Sequence, residues 1–187
     1  MSNQEEVLRL RKELETVSSD VRREFGSFRS EQLNWKPNVD RWSVGQCLDH
    51  LMTGNKLFFP ILDSIVSGTK KTVFMERIPL LPGVWGKLLI KSLNPKNTRK
   101  MKARPNFQPA SSDLPSNIVH QFIDQQGEFA DWMDKMKDMD LDRIIITSPA
   151  MKLMTYSVMD GYRFLVLHEQ RHLQQAQRVV AEEKFPK

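Results

Sequence analysis

The chain has 187 residues, 40% hydrophobic and 27% charged, which suffices for the core of one globular domain over residues 1–187 and excludes the composition of a disordered chain. The net charge of +5 does not mark a nucleic-acid binder, because ten bases fall between Lys70 and Arg104 against the single acid Glu76, leaving 18 bases and 22 acids elsewhere. No charge-free stretch approaches the roughly 20 residues of a membrane span, Met1-Ser2-Asn3-Gln4-Glu5-Glu6 does not read as a secretory signal, and the lone Cys47 fits a reducing compartment, so the cytoplasm is the expected location.

Leu8, Leu10, Leu14, Val17, Val21 and Phe25 recur mostly at three- and four-residue steps, and Ser2 and Glu5 have capping-box spacing, predicting a first helix from Asn3 to Phe25. Ser30 to Arg41 reads as a polar loop. Ser43 and Gln46 form a second capping-box pair, opening a second helix that runs through Leu48, Leu51 and Leu57 toward Val66, with Pro60 kinking it or ending its regular part. Residues 67–112 carry Pro79, Pro82, Gly83, Gly86, Pro95, Pro105 and Pro109 and form a long basic crossover. Within it, Val84 to Leu93 is expected to make a short helix that packs back or lies over an opening. Asp113 is expected to cap a third helix entered through Pro115 and ending near Lys137, followed by an extended or looped link over Leu141 to Pro149. Thr155 is expected to open a fourth helix reaching Glu182. With almost no period-two alternation, the pattern predicts an all-α four-helix bundle. There is no internal repeat and no glycine-rich phosphate loop.

The chemistry concentrates in His168-Glu169-Gln170-Arg171-His172. A four-residue spacing puts both imidazoles on one helical face, one turn apart, where their nitrogens can converge on one ion. A glutamate follows the first histidine as in the metalloprotease signature, but no further histidine or catalytic context accompanies it. His50, between Leu48 and Leu51 on the second helix, reads by itself as a core histidine and with the pair as a third ligand. Three neutral imidazoles leave coordination positions open, as catalytic divalent sites do.

Two stretches, Trp42-Ser43-Val44-Gly45-Gln46-Cys47-Leu48-Asp49-His50-Leu51 and Tyr162-Arg163-Phe164-Leu165-Val166-Leu167-His168-Glu169-Gln170-Arg171-His172-Leu173-Gln174-Gln175, resemble the two motif regions of the DinB-like superfamily, which includes YfiT-type metal-dependent hydrolases and bacillithiol transferases. The order of helices, the long connection after the second and the Ala103-Arg104-Pro105 approach to the third fit as well. The resemblance implies an up-down-down-up four-helix bundle and a divalent metal, zinc or nickel, held by His50, His168 and His172. It is compatible with a homodimer. The crossover departs from a plain member in its length and basic character.

Such an ion lowers the pKa of a bound thiol or water. Two reactions follow: transfer of a low-molecular-weight thiol to an electrophilic small molecule, as the bacillithiol-transferase resemblance implies, or hydrolysis of an ester or amide. Thiol transfer is preferred because the sequence offers no obvious second acid beyond Glu169 or Asp49. The rival is a non-catalytic helical binding module whose Val84-Trp85-Gly86-Lys87-Leu88-Leu89-Ile90-Lys91 contacts a partner or an anionic membrane surface. Cys47 reads as a small buried residue, with a fourth ligand or redox handle as the alternative. His120 reads as an exposed boundary residue, Met133, Met136 and Met139 as core or boundary filler, and Trp35, Trp42 and Trp132 as packing anchors.

Overall fold

A computed structural model describes residues 2–93, 107–109 and 113–187. The described chain is mostly helical, with one small two-stranded sheet, and no described helix is both long and apolar enough to cross a membrane. Helix α1 spans Asn3–Phe25 as its periodicity predicts, and the Ser2–Glu5 capping box is formed in both directions. The predicted polar loop instead contains a short helix, α2 (Ser30–Asn34), which turns Leu33 into the core. Helix α3 spans Val44–Lys56 behind the Ser43–Gln46 capping box. It stops at Lys56 because Pro60 has no N–H for the Lys56 carbonyl, and α4 (Phe59–Val66) restarts with that proline in its first turn.

The crossover holds a 3-10 turn at Phe74–Arg77 and helix α5 at Leu81–Ser92, which begins three residues before the predicted helix. The Ala103-Arg104-Pro105 approach lies outside the described residues. Helix α6 spans Ile118–Met136, so neither Asp113 nor Pro115 opens it. Asn34 explains the delay: its side chain accepts from Leu114 N at 2.8 Å and donates to Leu114 O at 2.9 Å, holding that residue in extended chain against α2.

The predicted extended or looped link forms part of a hairpin, a small sheet in a chain that is otherwise mostly helical, as the all-α expectation has it. Strand β1 (Ile145–Ser148) pairs antiparallel with β2 (Met151–Ser157), with a register shift between Thr147 and Ser148. The β-branched run Ile144-Ile145-Ile146-Thr147 favours a strand locally. Thr155 is therefore a strand residue, and α7 (Val158–Val180) begins three residues later, with Ser157 accepting from Asp160 N at 3.0 Å.

Helices α1 and α3 each pack against both α6 and α7, while α5 lies on β2 and α7. Gly86 permits that seat, since a Cβ there would come within 2.1 Å of Asp160 Oδ2. The apolar side chains form two clusters. One joins Val7, Leu10 and Leu14 of α1 to Phe129, Met133 and Met136 of α6, the hairpin, and the start of α7. The other joins Val17, Val21 and Phe25 to α3, the start of α6, and Leu173, Ala176 and Val179. In α3, α6 and α7 the residues between the two sets are polar and buried: Asn55, Gln125, Gln126 and Glu169.

The register of α7 has a direct test. Ser157→Ala removes a side-chain cap and is expected to destabilise the protein by about 1 kcal/mol, lowering Tm by about 2–4 °C. Thr155 is buried with its Oγ1 unpaired, so Thr155→Val is expected to leave Tm unchanged or raise it. Thermal unfolding followed by circular dichroism reads both, and the reverse order of effects would place the helix start at Thr155.

Candidate metal centre

The three histidines singled out in the sequence meet. His50 comes from α3, His168 and His172 from successive turns of α7, and one nitrogen from each lies within 4.8 Å of the others. The rings stand edge to face, with centroids 4.6 to 5.0 Å apart. Nitrogens each about 2.1 Å from a tetrahedral zinc are about 3.4 Å apart, so the set, with separations of up to 4.8 Å, closes around one ion with shifts on the order of an ångström.

A hydrogen bond sets the tautomer of His50. His50 Nδ1 lies 2.5 Å from the Phe107 carbonyl oxygen; a carbonyl only accepts, so Nδ1 carries the proton and Nε2 presents a lone pair. That lone pair lies 3.1 Å from His168 Nε2. His172 Nδ1 is buried without a hydrogen-bond partner. The donor set, three imidazoles with one nitrogen each within 4.8 Å of the others, suits a divalent cation of the zinc or nickel type.

The electrostatics favour the ligand-competent form. Burial pushes the His50 pKa down, opposed by the Phe107 carbonyl and the charge of Asp49. His168 is held well below the usual histidine range by burial and then by the other two histidines. Burial first, and His50 next, push His172 down to about 3. At neutral pH all three are unprotonated, as ligation requires.

Aromatic faces line the cluster. Trp42 stacks on His172 at 5.5 Å between centroids and also meets His50, and Phe164 stacks on His168 at 5.4 Å. Trp42 was expected only as a packing anchor; it serves the site as well. Phe164 precedes His168 by one turn, and that spacing could have revealed it. Nothing local could have revealed Phe107, which reaches His50 across 57 positions of sequence.

Glu169 does not act as its place after His168 suggests. It is buried, and its Oε1 accepts from Asn55 at 2.8 Å and from Gln126 at 3.0 Å, while Oε2 has no partner. Burial lifts its pKa to about 7 against those two hydrogen bonds. Among the described hydrogen bonds none joins it to a histidine. Cys47 lies in the apolar cluster of α1, α3 and α6, outside the histidine set, with its thiol pushed up to about 12 by burial. His120 is exposed, and Met133 and Met136 are buried.

The DinB superfamily model matches residues 13–176, which span all three histidines. No curated protein and no solved structure matches the chain.

The two sets of shifts have opposite consequences for stability. His172, lowered from 6.5 to about 3, contributes stability that is present above pH 6.5 and lost as pH falls toward 3. Glu169, raised from 4.5 to about 7, contributes stability that is present below pH 4.5 and lost as pH rises toward 7. Glu169→Gln keeps an oxygen able to accept from both amides and removes the second effect. In chelator-treated protein its stability relative to the unmutated chain is expected to be roughly 2 kcal/mol more favourable at pH 8 than at pH 5, measured by urea denaturation.

Proposed function

The chain belongs to the DinB superfamily, and from that membership together with its histidine cluster we propose that it is a metal-dependent transferase acting on a low-molecular-weight thiol and an electrophilic small molecule. The observation that carries the reading is the convergence of one nitrogen each from His50, His168 and His172 within 4.8 Å. We read α1, α3 with α4, α6 and α7 as the four members of an up-down-down-up bundle that holds this set in place.

A zinc or nickel ion, when bound, supplies positive charge that favours the thiolate form of a coordinated thiol near neutral pH. The chain's own residues do the rest. The Phe107 carbonyl fixes the tautomer of His50 and turns its Nε2 inward. Burial keeps His168 and His172 unprotonated. The faces of Trp42 and Phe164 shield two imidazoles from water and hold their ring planes.

One observation favours thiol transfer over hydrolysis. A thiol, with an ordinary pKa of about 8.5 against about 15.7 for water, needs far less help to lose its proton to solvent when bound to a metal, and the glutamate nearest in sequence to the histidines, which could assist water, is engaged by Asn55 and Gln126.

Elemental analysis of protein purified without an affinity tag, paired with a thiol-consumption assay on an electrophilic substrate, tests the reading. His50→Ala, His168→Ala and His172→Ala are each expected to reduce bound zinc or nickel to about one-tenth or less and to abolish metal-dependent thiol consumption. Metal content unchanged across the three variants would overturn the site. Retained metal dependence in ester hydrolysis, with no thiol consumption, would reassign the reaction.

A further inference from the structure

Helix α5 is apolar on two faces, and the fold uses one of them. Trp85 and Leu89 pack against the core, Gly86 sits on Asp160, and Leu93 is buried. On the outward side, Val84 and Leu88 stand one turn apart on one helical face and are 54% and 50% exposed, and Leu80, the residue before the helix, is 86% exposed. Lys87 and Lys91 fall in the same outward arc and are exposed. Neighbouring elements extend the surface: Phe74 on the 3-10 turn is 78% exposed and Leu153 on β2 is 67% exposed, and β2 packs against both the turn and α5.

Leu80 carries a second signal. Its φ is 65°, the only positive φ of a non-glycine residue among the described residues. A left-handed backbone is unfavourable for leucine, and asparagine or glycine would sit there at lower cost. The strain places an apolar side chain in solvent, where it contributes nothing to the core.

Bases outnumber acids along this surface. From residue 70 to residue 91 the acid is Glu76 alone, and it pairs with Lys70 at 2.6 Å. Lys71, Arg77, Lys87 and Lys91 remain, with Lys152 beside Leu153 on β2. Exposed leucine, valine and phenylalanine interleaved with lysine and arginine match the interface of an anionic bilayer, where the apolar groups enter the headgroup boundary and the long basic chains reach phosphates. A second copy of the same face would oppose Lys87 and Lys91 to like charges.

We propose that the outward face of α5, with the preceding 3-10 turn and the tip of β2, is a reversible docking surface for anionic lipid. The reading is independent of the histidine cluster, which lies on α3 and α7. Attachment by so short a helix is weak and salt-sensitive, because electrostatic attraction to the headgroups supplies much of it.

Flotation of the full-length protein with large unilamellar vesicles of phosphatidylcholine alone, and of phosphatidylcholine with roughly 30% phosphatidylglycerol, tests this. Binding to the anionic vesicles is expected to exceed binding to neutral ones by about tenfold or more and to weaken as salt rises. Lys87→Gln with Lys91→Gln is expected to lower anionic binding by about tenfold. Leu80→Asn with Val84→Ser and Leu88→Ser is expected to lower it to the level of the neutral vesicles, with helical content and metal content unchanged. Leu80→Asn alone is expected to raise Tm while weakening vesicle binding, which separates loss of the surface from loss of the fold. Absence of binding to anionic vesicles, or equal binding to both compositions, would overturn the proposal. So would a concentration-dependent dimer, seen by sedimentation velocity, that the triple variant abolishes while vesicle binding persists.

Discussion

Glu169 is a carboxyl group buried between two apolar clusters, and Asn55 and Gln126 are the side chains that make its burial tolerable. An unpaired carboxylate there would be several kcal/mol less favourable. The two amides come from α3 and α6 while the acid comes from α7, so these hydrogen bonds specify how the three helices sit along and around one another. A slide or rotation of α7 by one residue would move Glu169 away from both donors and set histidine or glutamine against them. The imidazoles of His168 and His172, next to it and one turn further on, inherit their placement from this contact. His50 lies on the same helix as Asn55 and is fixed by the same register.

The arrangement resolves an ambiguity in His168-Glu169-Gln170-Arg171-His172. In that string a glutamate between two histidines could be a base at a metal site or a structural residue, and the spacing is identical in both cases. The side chain of Glu169 leaves α7 about 100° around the axis from His168, and on this helix that direction leads toward Asn55 and Gln126. The tautomer of His50 is set by a backbone carbonyl from the crossover instead. Crossover and helices therefore build the cluster together, the helices supplying the nitrogens and the crossover supplying the hydrogen bond that orients one of them.

The crossover serves a second purpose in α5. Its inner face closes over β2 and the start of α7, a seat that Gly86 permits by leaving room for Asp160. The helix so seated leaves Val84 and Leu88 outward, and the strained Leu80 at its entry is exposed beside them in sequence. Of the bases that distinguish this chain's crossover, Lys87 and Lys91 are exposed on that helix.

Short-range physics made part of this legible in the sequence. The starts of α1 and α3 rest on capping boxes closed within three residues, and the facing of His168 and His172 rests on helical periodicity. Asn34 holding Leu114, the hairpin that displaces the start of α7 from Thr155 to Val158, and the route of Phe107 to His50 depend on groups 57 to 80 positions apart or on strand pairing. No local pattern encodes those distances. The resemblance of two motif regions named the three histidines, but the direction of Glu169 and the outward stripe of α5 were decided by packing. A side chain's neighbours in space, more than its neighbours in sequence, determine whether its charge can be satisfied and whether its apolar surface is covered.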